Sequence, residues 1–171
     1  MTLRRTEQPH DLAQGLDTLA PPAILSALVE GQLAALAALR PALPALQAGA
    51  EAMAAAIGNG GRLIYTAAGS SGLMGMADGL ELPGTFGLSP AQIVISLAGG
   101  AASLQHMTGN TEDDVAEARA AASTVRAHDC VIAISASGAT PYPLAFLKAA
   151  PQATRIAIVN PPASPMLAQA E

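Results

Sequence analysis

Two hydroxyl-rich loops, each following a short apolar run, are the residues of this chain best suited to chemistry. Leu63-Ile64-Tyr65 leads through Thr66-Ala67-Ala68 into Gly69-Ser70-Ser71-Gly72, where a helix is expected to open. Val131-Ile132-Ala133-Ile134 leads likewise into Ser135-Ala136-Ser137-Gly138-Ala139-Thr140, with a helix from Pro141. At a strand-to-helix turn, backbone N–H groups and hydroxyls converge, and the positive end of the helix dipole favours an anion. Ser70 or Ser137 could equally be a plain N-cap. Two such loops at the carboxyl ends of parallel strands point instead to a ligand in the crevice of an open α/β sheet. Neither loop carries the Gly-Lys-Ser/Thr or G-x-G-x-x-G pattern of a nucleotide site. The expected ligand is a phosphorylated small molecule.

Carboxylates supply the second kind of chemistry. In Asp78-Gly79-Leu80-Glu81-Leu82-Pro83-Gly84, Glu81 sits between apolar neighbours, just before an expected Pro-Gly helix break. A carboxyl kept in dry surroundings can deliver a proton near neutrality; the plain alternative is a helix-end surface residue. Asn110-Thr111-Glu112-Asp113-Asp114 precedes a helix of about four turns. Asn110 or Thr111 would cap it, with the acids complementing its dipole, or one acid would act as a base. His106 and His128 lack partners at metal-ligand spacing and read as structural. No G-x-S-x-G elbow supports a serine triad.

The elements that must position these residues follow from the pattern. Apolar runs at 62–67, 92–98, 130–135 and 155–159 alternate with helix-like segments at about 72–80, 100–107, 113–127 and 141–150. Strands without polar alternation, separated by helices, indicate a parallel sheet covered on both faces, a doubly wound α/β fold. Ahead of it, Pro22 to about Leu39 and Pro44 to Ile57 read as two helices, with Gly58-Asn59-Gly60-Gly61 ending the second. The expected domains are a helical arm over 1–57 and the α/β domain over 58–171. The last strand leaves a sheet edge that another element would cover.

Composition narrows the partners. The 171 residues are 51% apolar but only 2% aromatic, so the core must be aliphatic. Eight basic against 13 acidic residues give a net charge of −5, and no basic cluster is present, which disfavours nucleic acid. The single cysteine, Cys130, reads as a buried small hydrophobe. No apolar h-region follows the basic start of the chain, and Pro41 and Pro44 interrupt its longest apolar stretch. The expectation is a cytoplasmic protein that does not enter a membrane.

Taken in order, these stretches resemble the sugar isomerase (SIS) family and, more narrowly, are similar to the N-acetylmuramic acid 6-phosphate etherases. The similar segments are Thr6-Glu7-Gln8, Gly60-Gly61-Arg62-Leu63-Ile64-Tyr65, Gly69-Ser70-Ser71-Gly72, Asp78 with Glu81 and Pro83, Thr85-Phe86-Gly87, and Ala98-Gly99-Gly100. Then come Glu112-Asp113-Asp114, Ala136-Ser137-Gly138-Ala139-Thr140-Pro141-Tyr142, Asn160-Pro161 and Ser164-Pro165. The resemblance implies a flavodoxin-like sandwich, Glu81 and Glu112 as catalytic carboxylates, and Ser70, Ser71, Ser137 and Thr140 as phosphate contacts. It implies cleavage of the lactyl ether of a phosphorylated amino sugar by elimination and hydration, with no cofactor or metal, in a homodimer or larger homo-oligomer. A sugar-phosphate sensor and an aldose–ketose isomerase are the alternatives that the same family offers. Leu73 and Ala139 stand where the etherases usually carry arginine, and Thr108-Gly109-Asn110-Thr111 replaces their Glu-Gly-Ala.

Overall fold

A computed structural model describes residues 6, 8–106 and 110–170. Glu7 of the first similar segment, and Thr108 and Gly109 of the replaced one, lie outside the described residues. The chain divides into two compact units, Met1–Ala50 and Glu51–Glu171. The division falls within a helix rather than at its end.

In the first unit, Pro21 and Pro22 open α1 (Pro21–Ala37), where proline's fixed φ and missing N–H cost nothing. None of its residues is buried, and Leu25, Leu28, Val29, Leu33 and Leu36 all stand exposed. A 3-10 turn, Arg40–Ala42, separates α1 from α2 (Leu43–Gly58). By length and composition the stretch Pro21–Gly58 is apolar enough to cross a bilayer. The turn divides it into helices of 17 and 16 residues, at or below the ~17–25 that a span requires.

The second unit is built on a four-stranded parallel sheet in the order β2-β1-β3-β4: β1 (Leu63–Ala67), β2 (Ile93–Leu97), β3 (Cys130–Ile134) and β4 (Thr154–Ile158). Every residue of β1 is buried, as a central strand covered on both faces requires. Alternation divides the side chains between two cores. Ile64, Val131 and Ala133 pack with Ala118, Ala122, Phe146 and Leu147, which belong to α5 (Val115–Ala122) and α6 (Pro141–Ala149). Leu63, Tyr65, Cys130 and Ile132 pack with Ala56 and Leu82, from α2 and from α3 (Gly69–Phe86). A short α4 (Ser103–His106) follows β2. β4 is an edge strand among the described residues, and its last residue, Ile158, is 48% exposed.

Several boundaries differ from the sequence expectation for local reasons. The helix expected at 72–80 runs from Gly69 to Phe86, straight through the Pro83-Gly84 break, and ends where Gly87 turns left-handed at φ 68°. Pro83 lies in the last turn, so its missing N–H removes a single helical bond. The helix expected at 113–127 spans only 115–122, and its cap is Asp114, which accepts from the Glu117 amide at 2.8 Å, not Asn110 or Thr111. The helix expected at 100–107 reduces to the single turn of α4. The Gly58-Asn59-Gly60-Gly61 stretch does end α2, with the left-handed residue at Gly60 (φ 74°).

The starts of β1 and β3 are tied by one buried ion pair. The Asp129 carboxylate receives Arg62 Nη2 at 2.6 Å and the backbone amides of Arg62 and Arg126 at 2.9 and 2.8 Å. Burial pushes the Asp129 pKa up, but these donors outweigh it and hold the group below its ordinary value of 3.8. A group whose folded pKa is depressed adds stability above its unfolded pKa and loses it as pH falls through the folded one. Asp129→Asn is therefore expected to cost about 3 kcal/mol at pH 7 in urea unfolding. The gap between wild type and variant should stay constant above pH ~5 and close at lower pH; a gap independent of pH would contradict the assignment.

Candidate functional site

α3 can lie close on the sheet because Gly72, Gly75 and Gly79 form its inner face. A Cβ on Gly72 would come within 3.1 Å of Leu97, and one on Gly75 within 2.9 Å of Ile134. One on Gly79 would come within 2.8 Å of Ile95 and 3.1 Å of the Tyr65 ring. The close approach brings the N-terminus of α3 to the carboxyl edge of the sheet. There the first amides of the helix have no partner within it, and Ser70 and Ser71 occupy its first turn.

The two hydroxyl loops meet across that edge. A cavity of about 250 Å³ is lined by Ser70, Ser71 and Met74 from α3, by Ile134, Ser135 and Ala136 from the second loop, and by Ile158 and Asn160 beyond β4. Ser137 and Thr140 are not in this lining. They turn inward onto Ser135, whose Oγ lies 2.8 Å from the Thr140 hydroxyl and 3.4 Å from that of Ser137, and accepts from the Gly138 amide at 3.1 Å. Ser135, 2% exposed, is the hub of the loop, and with Asn160 it is a lining residue that the sequence reading passed over. Alternation along β3 was the signal available for Ser135. It continues the Val131, Ala133 series, so a polar residue there must be buried and bonded.

The two loops are unequal as anion sites. Dipole and amides act together at α3, but α6 begins Pro141-Tyr142-Pro143. Both prolines lack an N–H, and the Tyr142 amide is spent on the Glu112 carbonyl at 2.9 Å. The second loop therefore offers hydroxyls without helix amides, so the dipole acts from the α3 side alone. The same bond holds the backbone of Glu112 beside the start of α6, with its side chain exposed.

Glu81 stands ten residues beyond Ser71 on α3, about 15 Å along the axis. It is exposed and accepts from the Thr85 hydroxyl at 3.2 Å. The dry surroundings expected from its sequence neighbours are not supplied within this chain, because Leu80, at 62% exposure, faces outward. One turn earlier, Asp78 accepts from the hydroxyl of the buried Tyr65 at 2.6 Å. Burial and then Asp78 push the pKa of that hydroxyl well above its ordinary range. The lining of the cavity includes no Lys or Arg, and neither Leu73 nor Ala139 belongs to it. Among the described residues, no group of three or more His, Cys, Asp or Glu side chains is placed to hold a metal ion.

The fold matches solved structures. A phosphoheptose isomerase from Francisella tularensis superposes with a TM-score of 0.68 over 90% of this chain and 82% of its own, at 19% identity. One from Neisseria gonorrhoeae superposes with 0.57 over 88% and 78%, at 21% identity. The fold is thus that of the sugar isomerase (SIS) proteins. Within that class the chain is homologous to the N-acetylmuramic acid 6-phosphate etherases. It is 40% identical over 169 residues to the one of Deinococcus radiodurans, covering 96% of this chain and 55% of the relative. With etherase 1 of Vibrio cholerae it shares 34% over 171 residues, covering 97% and 57%. The chain thus spans a little over half the length of these relatives. No family model matches it.

Gly138 tests the loop geometry. Its φ is 65°, and a Cβ there would run into the Ser164 side chain, which packs over the loop. Gly138→Ala is expected to cost about 1–3 kcal/mol in thermal unfolding and to weaken inorganic phosphate binding by calorimetry. Unchanged values for both would show that the loop does not depend on this contact.

Proposed function

We propose that the chain is the substrate-binding part of an N-acetylmuramic acid 6-phosphate etherase, a lyase releasing D-lactate from that phosphorylated amino sugar. The observation that carries this reading is 40% identity to such an enzyme over 169 residues. The cavity uniting Ser70 and Ser71 with the second hydroxyl loop supports it. The phosphate would take the amides and hydroxyls at the start of α3, with the Ser135, Ser137 and Thr140 cluster shaping the opposite wall. In the open-chain sugar the C2 proton is acidified by the neighbouring aldehyde. A base removes it, the C2–C3 double bond forms, and the C3–oxygen bond breaks as an acid protonates the departing lactate. Water then adds its hydroxyl to C3 and a proton to C2. Glu81 and Glu112 are the carboxylates proposed for these transfers.

A second reading, a phosphosugar-binding protein without catalysis, is favoured by one observation: no Lys or Arg lines the cavity. The two readings separate in one experiment. Glu81→Gln should lower lactate release from N-acetylmuramic acid 6-phosphate by ~10²–10⁴-fold while phosphosugar affinity holds. Glu112→Gln should also suppress solvent exchange at C2. Wild-type protein that binds the sugar yet shows neither exchange nor lactate would leave the binder.

We also propose that the working form is at least a homodimer, acting in the cytoplasm. Leu25, Leu28, Val29, Leu33 and Leu36 on α1 are all exposed and recur at helical spacing, an apolar stripe larger than scattered side chains explain. Analytical ultracentrifugation at micromolar concentration should show the dimer, and a monomer would count against it.

A further inference from the structure

We propose that Asp78, held by the Tyr65 hydroxyl, is a positioning residue for Glu81: their bond fixes the roll of α3 on the sheet and so the point at which the Glu81 carboxyl is presented. The inference rests on the reading of Glu81 as a proton-transfer group. Over its first three turns the inner face of α3 is Gly72, Gly75 and Gly79, resting on the Tyr65 ring and the tips of Leu97, Ile134 and Ile95, and Leu82 continues that face onto the same core. Helices usually take their orientation from side-chain ridges seated in grooves. The glycine turns provide close approach but no ridge, so beside Leu82 at the far end they leave the roll of the helix near Asp78 to few side chains.

The Tyr65–Asp78 bond supplies the missing key. Tyr65 is fixed at both ends: its backbone pairs with β2 and β3 as part of the central strand, and its ring, 2% exposed, lies under Gly75 and Gly79. Its hydroxyl therefore projects to a set point, and at 2.6 Å it takes hold of Asp78 Oδ2. Asp78 and Glu81 are three residues apart, so they share one face of the helix. A roll of ~20° would displace a carboxyl ~6 Å from the axis by about 2 Å. A misplacement of about 1 Å can cost ~10²-fold in rate, so loss of this one bond should be visible in catalysis before it is visible in the fold.

Tyr65→Phe removes the hydroxyl and keeps the ring under the glycines. The expected result, with N-acetylmuramic acid 6-phosphate as substrate, is a fall in kcat of about tenfold to a hundredfold with little change in KM. Asp78→Asn, whose amide oxygen still accepts from Tyr65, should retain most of the rate. Asp78→Ala should behave like Tyr65→Phe, and it decides the question if the phenylalanine variant does not fold. Full kcat in Tyr65→Phe or Asp78→Ala would overturn the proposal, as would equal losses in all three variants. If the wild type releases no lactate, the etherase reading fails separately. The positioning claim is then decided by the backbone amide resonances of Glu81 and Thr85. They should shift in Tyr65→Phe and stay near wild type in Asp78→Asn; resonances unmoved by Tyr65→Phe would refute it.

Discussion

The close contact of α3 with the central strand is the constraint on which the rest of the site depends. Gly72, Gly75 and Gly79 remove the side chains that would hold the helix off, and Tyr65, Leu97, Ile134 and Ile95 occupy the space they leave. Glycine in a helix interior costs about 1 kcal/mol relative to alanine, and three of them weaken α3 as an isolated helix. Burial against an aliphatic sheet and the extension through Pro83 to Phe86 offset that cost. The close packing keeps the first turn of α3 level with the second loop, so that one cavity has walls from both.

Charge is managed within an acidic chain. With a net charge of −5, long-range attraction does not concentrate anions at the site. Any recognition of phosphate must be local, through hydroxyls, amides and the dipole of an 18-residue helix. The buried cation Arg62 is occupied elsewhere, holding Asp129 between the starts of two strands. A cavity lined by neutral donors suits a ligand that brings its own charge and must leave again. It also explains why the alternative of binding without catalysis attaches to this chain in particular.

The two carboxylates are held in contrasting ways. Glu112 sits in a turn whose backbone is bonded to the start of α6, so its place depends on the packing of α6 against β3 and β1. Glu81 rides on a helix whose inner face is glycine up to Gly79 and then Leu82, and its own side chain is exposed. Of its two apolar neighbours, Leu80 faces outward while Leu82 packs against the sheet.

Much of the architecture could be read from the sequence, because it rests on short-range rules. Short apolar runs ending in Gly, Ser or Asn-Pro marked the four strands, the parallel sheet and the two loops. The segments similar to the etherases ran along the chain in order, and homology to those enzymes agrees with them. Tertiary structure decided what depends on partners distant in sequence. The Pro83-Gly84 pair looked like a break, but the last turn of a packed helix tolerates one missing bond. Ser135 looked like one hydroxyl among several, but it is the buried one to which Thr140 and Gly138 bond. The amides of α6 looked free, but two prolines and the Glu112 carbonyl consume them, and that carbonyl lies 30 residues away along the chain. Propensity and periodicity are local, whereas the satisfaction of buried polar groups is settled only when the strands have been brought side by side.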